Sequence, residues 1–211
     1  MYPFKTLSNK TLSYLKLTVL VLVLLPFINL SYLAFTTNLG ANPIEKMTHV
    51  TGYWTLTLLL ITLSISPLRQ VTGYLWLMRL RRLLGLSVFF YGCVHFSIYL
   101  IIDQFFDWLS IGKDIIKRPY ITVGFLALVL LLPLAITSNN AMIKRLSYQR
   151  WQKLHYLIYP IAILGVLHYW WLVKKDLTNP LIFALLLSFL LAIRLFVYSK
   201  PRFKKWRTQK N

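Results

Sequence analysis

Six long stretches of this chain are apolar and, apart from Arg194 near the end of the last, free of charge: Leu17–Ala34, Val50–Leu68, Leu83–Ile102, Pro119–Thr137, Leu154–Val173 and Leu177–Tyr198. A helix rises about 1.5 Å per residue, so roughly 18 to 20 apolar residues cross the hydrocarbon core of a bilayer. Only 14% of the 211 residues are charged, against about a quarter in soluble domains, so the chain cannot clothe itself in polar groups. The expected fold is an all-α membrane protein, a six-transmembrane-helix bundle, with residues 1–16 as an N-terminal segment, 17–199 as the bundle and 200–211 as a polybasic tail. A signal-peptide reading of the first run fails, since the run is too long and no small-residue cleavage site follows it. Pro26, Pro133 and Pro160 lie inside spans and are expected to kink them, while Pro180 stands near a helix start, where it is tolerated. The Ser, Thr, Asn and Gln residues within spans read as interhelical glue.

Charge gives the orientation. Of the 24 Lys and Arg residues, eighteen fall in the N-terminal segment, the 69–82 and 138–153 loops and the C-terminal end. The other six, and all five acids (Glu45, Asp103, Asp107, Asp114 and Asp176), fall in the alternate connections. Lys and Arg are retained on the cytoplasmic side, so both termini are expected there. A net charge of +19 distributed this way suits anionic headgroups, not nucleic acid. The single cysteine, Cys93, excludes an internal disulfide framework, a cysteine metal site and covalent haem attachment, and reads as a packing residue.

Ionisable residues inside spans are costly and point to function. Three of the four histidines qualify: His95 in the third span, His155 and His168 in the fifth. His49 lies at the outer edge of the second span, within reach of water. Measured from Asp103 and Lys174, His95 and His168 both lie about 9–12 Å inside the outer boundary. The two spans run the same way, so the pair could clamp one iron from opposite sides. His155 lies thirteen residues before His168, roughly 20 Å toward the cytoplasm and about 140° around an ideal helix. The residue thirteen before His95 is Arg82, which cannot ligate iron but could pair with a haem propionate or a flavin phosphate.

The spans contain no HExxH and no carboxylate, against zinc hydrolases and most proton pumps. The methionines are not arranged near the histidines for copper. Haem b between aromatic-rich helices, held by axial imidazoles without any cysteine, fits these residues best.

The segments TGYWTLTLLLITLSISPLR (Thr51–Arg69), RRLLGL (Arg81–Leu86) leading to His95, KRPYITVG (Lys117–Gly124) and WQKLHYLIYPIAILGVLHYWWLVKKD (Trp151–Asp176) resemble a known family. It is the haem-binding membrane subunits of bacterial periplasmic methionine-sulfoxide reductase systems, within the ferric reductase-like transmembrane superfamily. The resemblance implies a b-type cytochrome of the cell inner membrane that carries electrons from cytoplasm to periplasm. It implies His95 and His168 as axial ligands, His155 as a third haem-associated histidine, and one or two haems. It further implies FMN, a cytoplasmic NAD(P)H:flavin reductase as donor, and a periplasmic molybdenum-containing catalytic subunit, MsrP, as acceptor. No flavin motif stands in the chain. Only about a dozen residues follow the last span, so the expected donor is another protein, loosely bound flavin or quinol.

On this reading the chain performs electron transfer without bond chemistry of its own. The rival readings are a quinol-oxidising cytochrome anchor, a small transporter with histidines on its path, and a structural anchor indifferent to loss of the histidines.

Overall fold

The computed structural model describes residues 6–199, whose regular structure is all helical, with no strand among them. The polybasic tail of 200–211 and residues 1–5 lie outside the described residues. Helix α1 (Asn9–Phe35) starts on Ser8, whose hydroxyl accepts from the Thr11 N–H. Helix α2 (Pro43–Thr72) starts on Asn42 with Pro43 at its first turn, and ends on Gly73 at φ +74°. That left-handed position closes the helix with a bond from the Gly73 N–H to the Arg69 carbonyl. A short 3₁₀ turn (Leu75–Arg79) leads into α3 (Arg81–Ser97), which widens into a π-helical turn over Ile98–Asp103. There follow α4 (Trp108–Lys117), α5 (Pro119–Ile136), α6 (Asn140–Leu146), α7 (Tyr148–His155), α8 (Ile158–Leu172) and α9 (Thr178–Ser199).

Among the described residues five segments are long and apolar enough to cross a membrane: Asn9–Phe35, Pro43–Thr72, Leu75–Asp103, Pro119–Ile136 and Thr178–Val197. The fifth expected span, Leu154–Val173, is not one continuous helix. It breaks at Tyr156–Leu157, leaving α8 only 15 residues long. Pro160 accounts for the break: it has no N–H to offer the Tyr156 carbonyl, and its ring collides with that carbonyl in a regular helix. The chain responds with tight turns, Leu157 N–H to Leu154 O and Tyr159 N–H to Tyr156 O. Pro26 and Pro133, by contrast, sit inside helices that continue through them.

Helix α2 is the central element, packed chiefly on α3, with α5 packed on α8 and α9 closing over α2 and α8. The core is Leu56, Leu59 and Leu63 of α2, Leu84, Val88 and Tyr91 of α3, Leu131 and Leu134 of α5, Ile161, Ala162 and Val166 of α8, and Phe183 and Leu187 of α9. Apolar side chains also cover the outside, for example Leu22, Ile28, Leu185 and Phe189, as lipid contact requires. Lipid is as apolar as leucine, so close packing and hydrogen bonds must hold such a bundle together. The span hydroxyls contribute less between helices than expected, because Ser31, Thr55, Thr62 and Ser87 turn back onto carbonyls of their own helices. Larger donors make the cross-helix bonds. The fully buried Tyr91 donates to the Val23 carbonyl (2.7 Å) and accepts from the Phe27 N–H (3.1 Å), clamping α3 to α1 around Pro26. Arg194 Nη2 reaches from α9 to the Leu63 carbonyl (2.6 Å), and Trp151 Nε1 donates to the Thr137 carbonyl (2.9 Å).

These contacts set the directions. His95 meets Thr48, so α2 and α3 are antiparallel; His168 meets Tyr120, so α5 and α8 are antiparallel. One end of the bundle gathers the arginines of α3 and α9, and the opposite end carries the acids.

Candidate cofactor site

The rings of His95 and His168 lie near the acidic end with centroids 6.0 Å apart and planes at 84°. Two imidazoles on one metal, each through a bond of about 2 Å, have centroids roughly 6 Å apart. His95 Nδ1 lies 3.0 Å from the Thr48 carbonyl on α2, and His168 Nδ1 lies 2.7 Å from the Tyr120 carbonyl on α5. A carbonyl only accepts, so each Nδ1 carries the proton and each Nε2 keeps its lone pair. That is the tautomer a metal requires, fixed from behind by the backbone.

The same device builds both halves. Four residues beyond each accepting carbonyl, on the same helical face, stands a glycine: Gly52 after Thr48, Gly124 after Tyr120. A Cβ on Gly52 would lie 3.0 Å from His95 Cε1 and 3.2 Å from its Nδ1. A Cβ on Gly124 would lie 2.6 Å from His168 Nδ1 and 2.9 Å from its Cε1. Each imidazole therefore rests in space left by a missing side chain, close enough to reach the carbonyl one turn back. Thr51 adds its hydroxyl 3.3 Å from His95 Nδ1 while donating to the Met47 carbonyl. Reading the sequence picked out the two histidines but neither glycine. The available signal was an isolated glycine in an apolar helix, which marks close approach when it faces a neighbour.

His155 stands elsewhere, at the end of α7 on the other side of the helix break. Its Nδ1 lies 3.1 Å from the Trp151 carbonyl, its ring stacks on the Trp151 indole at 4.0 Å, and its Nε2 is buried without a hydrogen-bond partner among the described residues. The positive charge of Arg81 on α3 and the Leu134 backbone on α5 lie close enough to act on this ring. Arg82 does not turn the same way. Its Nη2 donates to Asn140 Oδ1 at 2.6 Å, and the side chain lines a groove between α1 and α3. His49 is exposed on the first turns of α2. Among the described residues no three His, Cys, Asp or Glu side chains gather as a metal cluster, so a metal here relies on paired imidazoles plus ligands of its own. Haem fits that requirement: two imidazoles meet from α3 and α8 with each Nδ1 committed to a carbonyl, and a porphyrin would supply the remaining donors.

Residues 47–166 match the family described as the ferric reductase like transmembrane component. Similar curated proteins are named protein-methionine-sulfoxide reductase heme-binding subunit MsrQ. The Herminiimonas arsenicoxydans protein is 52% identical over 191 residues, covering 90% of this chain and 88% of the relative. That of Ralstonia nicotianae is 50% identical, covering 90% and 88%, and that of Rhodospirillum rubrum is 50% identical, covering 85% and 86%. The matched span contains His95, His155, Gly52 and Gly124, and with the apolar helices it makes this a multi-pass membrane protein. The chain belongs to the ferric reductase-like transmembrane family and, within it, to the MsrQ subunits.

Proposed function

We propose that this chain is a b-type cytochrome subunit of the bacterial inner membrane, carrying electrons from the cytoplasmic side to a periplasmic methionine-sulfoxide reductase catalytic subunit of the MsrP kind. The observation that carries this reading is the His95–His168 pair, with rings 6.0 Å apart and both Nδ1 atoms held by backbone carbonyls. Haem b, when bound, supplies reversible one-electron transfer. His95 and His168 would hold its iron through Nε2, while the Thr48 and Tyr120 carbonyls keep both rings oriented and raise their basicity. Ligation by both imidazoles would suit electron passage and keep substrate off the metal. Apolar walls from α2, α3, α5 and α8 keep water from the path.

Orientation rests on the positive-inside bias, which puts the arginine-rich end and both termini in the cytoplasm; α8 is then the fifth of six crossings. His155 serves an inner, second haem site near that face. Its Nε2, buried without a hydrogen-bond partner among the described residues, would be the ligand atom, and Arg81, whose charge acts on this ring, would supply the cation that sequence spacing had offered to Arg82. Electrons enter at this end. The cationic face attracts a reduced flavin such as FMNH₂ delivered by an NAD(P)H:flavin reductase, since the flavin phosphate is anionic. Short outer connections carrying the acids meet the periplasmic partner.

The test is haem per chain and the reduced-minus-oxidised spectrum of purified His95→Ala and His168→Ala. Each is expected to lose most of the haem, and full retention by both overturns the ligand assignment. Comparing reduced flavin with quinol as reductant of the wild-type haem separates the flavin route from the quinol-fed alternative.

A further inference from the structure

The groove to which Arg82 turns has a chemistry of its own. It occupies the α1–α3 seam with a volume of about 780 Å³. Two stripes at four-residue spacing form its walls: Lys16, Leu20 and Leu24 on α1, and Arg82, Leu86 and Phe90 on α3. Each stripe begins with a cation and runs about 12 Å into the apolar layer. Arg79 adds a third cation at the mouth. At Phe90 the seam narrows, where Phe27 meets Phe90 edge-on at 5.2 Å and Tyr91 clamps α1, before a second, apolar cavity lined by Phe27, Cys93 and Ile98.

Two features select the occupant. No carboxylate lines the groove, and the one ion pair among the described residues, Arg118–Asp114, belongs to the acidic end. Arg82 has a neutral partner, Asn140. Three cations are thus held together without a counter-charge, a geometry that calls for an anion. Below them the trough is almost wholly apolar. Its hydroxyl, on Ser87, already donates to the Leu83 carbonyl, so little remains for the polar edge of a flavin ring, which would lose its hydrogen bonds to water without replacement. Leu20, Leu86 and Phe90 are exposed, so the trough opens sideways to lipid, as an acyl chain entering from the bilayer needs.

We propose that the α1–α3 groove is a binding site for one anionic phospholipid, its phosphate between Lys16, Arg79 and Arg82 and one acyl chain along Leu20, Leu24, Leu86 and Phe90. The lipid fills the looser part of the seam between peripheral α1 and the core.

The experiment is native mass spectrometry of the full chain after exchange into an equal mixture of phosphatidylglycerol and phosphatidylcholine. One phosphatidylglycerol is expected to stay bound, with a preference of roughly tenfold or more. Lys16→Gln/Arg79→Gln/Arg82→Gln should abolish that preference, whereas Lys144→Gln/Arg145→Gln/Arg150→Gln, on the same face outside the groove, should keep it. Leu24→Trp/Leu86→Trp, which fills the trough and leaves the cations, should also lose the lipid; circular dichroism verifies that each variant is folded. Equal losses in both glutamine sets would reduce the effect to general surface charge and overturn the proposal. So would retention by the trough variant, or displacement of the lipid by FMN or by a quinol at micromolar concentration.

Discussion

The two ends of this bundle treat buried polar groups in opposite ways. At the acidic end, His95 and His168 face each other, each with Nδ1 bonded to a carbonyl and each seated over a glycine. The nearby charges are also matched: Asp114 pairs with Arg118 at 3.1 Å and accepts from the Tyr99 hydroxyl, while Asp107 caps α4. At the basic end the His155 imidazole stacks on Trp151 with its Nε2 unpartnered among the described residues. Arg194 there lies over the Tyr159 ring with its Nε likewise buried and without a partner among them. A buried polar atom without a partner costs stability, a cost that the acidic end avoids and the basic end carries. The first region pairs its imidazoles like a clamp. The second leaves its polar atoms unpaired among the described residues.

If the clamp depends on missing side chains, adding them should be the most damaging small change in the protein. Gly124→Ala places a Cβ 2.6 Å from His168 Nδ1, a distance real contacts do not adopt, so either the ring or α5 must move and the Tyr120 bond breaks. Most of the haem held by the pair is expected to be lost, measured as haem per folded chain. Gly52→Ala, with its nearest contact at 3.0 Å, asks for a shift of a few tenths of an ångström and should leave the haem bound with a displaced potential. If both variants keep wild-type haem and potential, the glycines are ordinary packing residues and the comparison fails.

Ring orientation provides a second test. Axial imidazoles with perpendicular planes leave two iron d orbitals nearly degenerate, which gives a highly anisotropic low-spin electron paramagnetic resonance signal, and the 84° between His95 and His168 predicts that signal for the oxidised outer haem. A well-resolved rhombic signal would mean near-parallel rings, hence a clamp different from the one described. The same measurement sharpens the contrast between regions. On the proposed two-site reading, His155→Ala should leave that signal in place and remove only what an inner haem would contribute, a smaller loss of total haem than His95→Ala causes. Loss of the outer signal in His155→Ala would show that the two regions are one cooperative unit.

Counting residues from Asp103 and Lys174 was enough to put His95 and His168 at a common depth, because rise along a helix needs only a number. Apolar runs likewise located the helices, since crossing a bilayer is a one-dimensional requirement. What surrounds each imidazole was not legible. Thr48 and Gly52 lie more than forty residues before His95, Tyr120 and Gly124 more than forty before His168, and whether a lone glycine faces lipid or a ring depends on packing. Pro160 was visible as a disturbance, but whether a helix kinks or breaks depends on whether neighbouring turns can take up the freed carbonyl. Arg81 and Arg82 are adjacent letters some 100° apart on a helix, so which of them faced inward was decided by the phase of α3, beyond the reach of a spacing argument.

The smallest expected effect tests whether charge matching really distinguishes the ends. Asp107 accepts from the Ser110 N–H and hydroxyl and from the Leu109 N–H, which hold its carboxyl below the usual carboxylate range. Asp176 is lowered in the same way by Thr178 at the start of α9. A group whose folded value is depressed contributes stability above its unfolded value, about 4, and loses that contribution as pH falls through the folded value. Acidification from pH 7 to about pH 3 should therefore loosen the first turns of α4 and α9, read as faster amide exchange there after correction for intrinsic rates. Asp107→Ala should reproduce the α4 loosening at neutral pH and leave the haem spectrum unchanged, since the cap is exposed and local. The basic end has no carboxylate among the described residues to protonate, so the first turn of α6, capped by the neutral Asn139, should not respond. The start of α3 is left out of the test because Arg81 there lies near the titratable His155. Equal acid loosening at both ends would mean that global unfolding, not local capping, sets the response, and the asymmetry between the ends would lose its electrostatic basis.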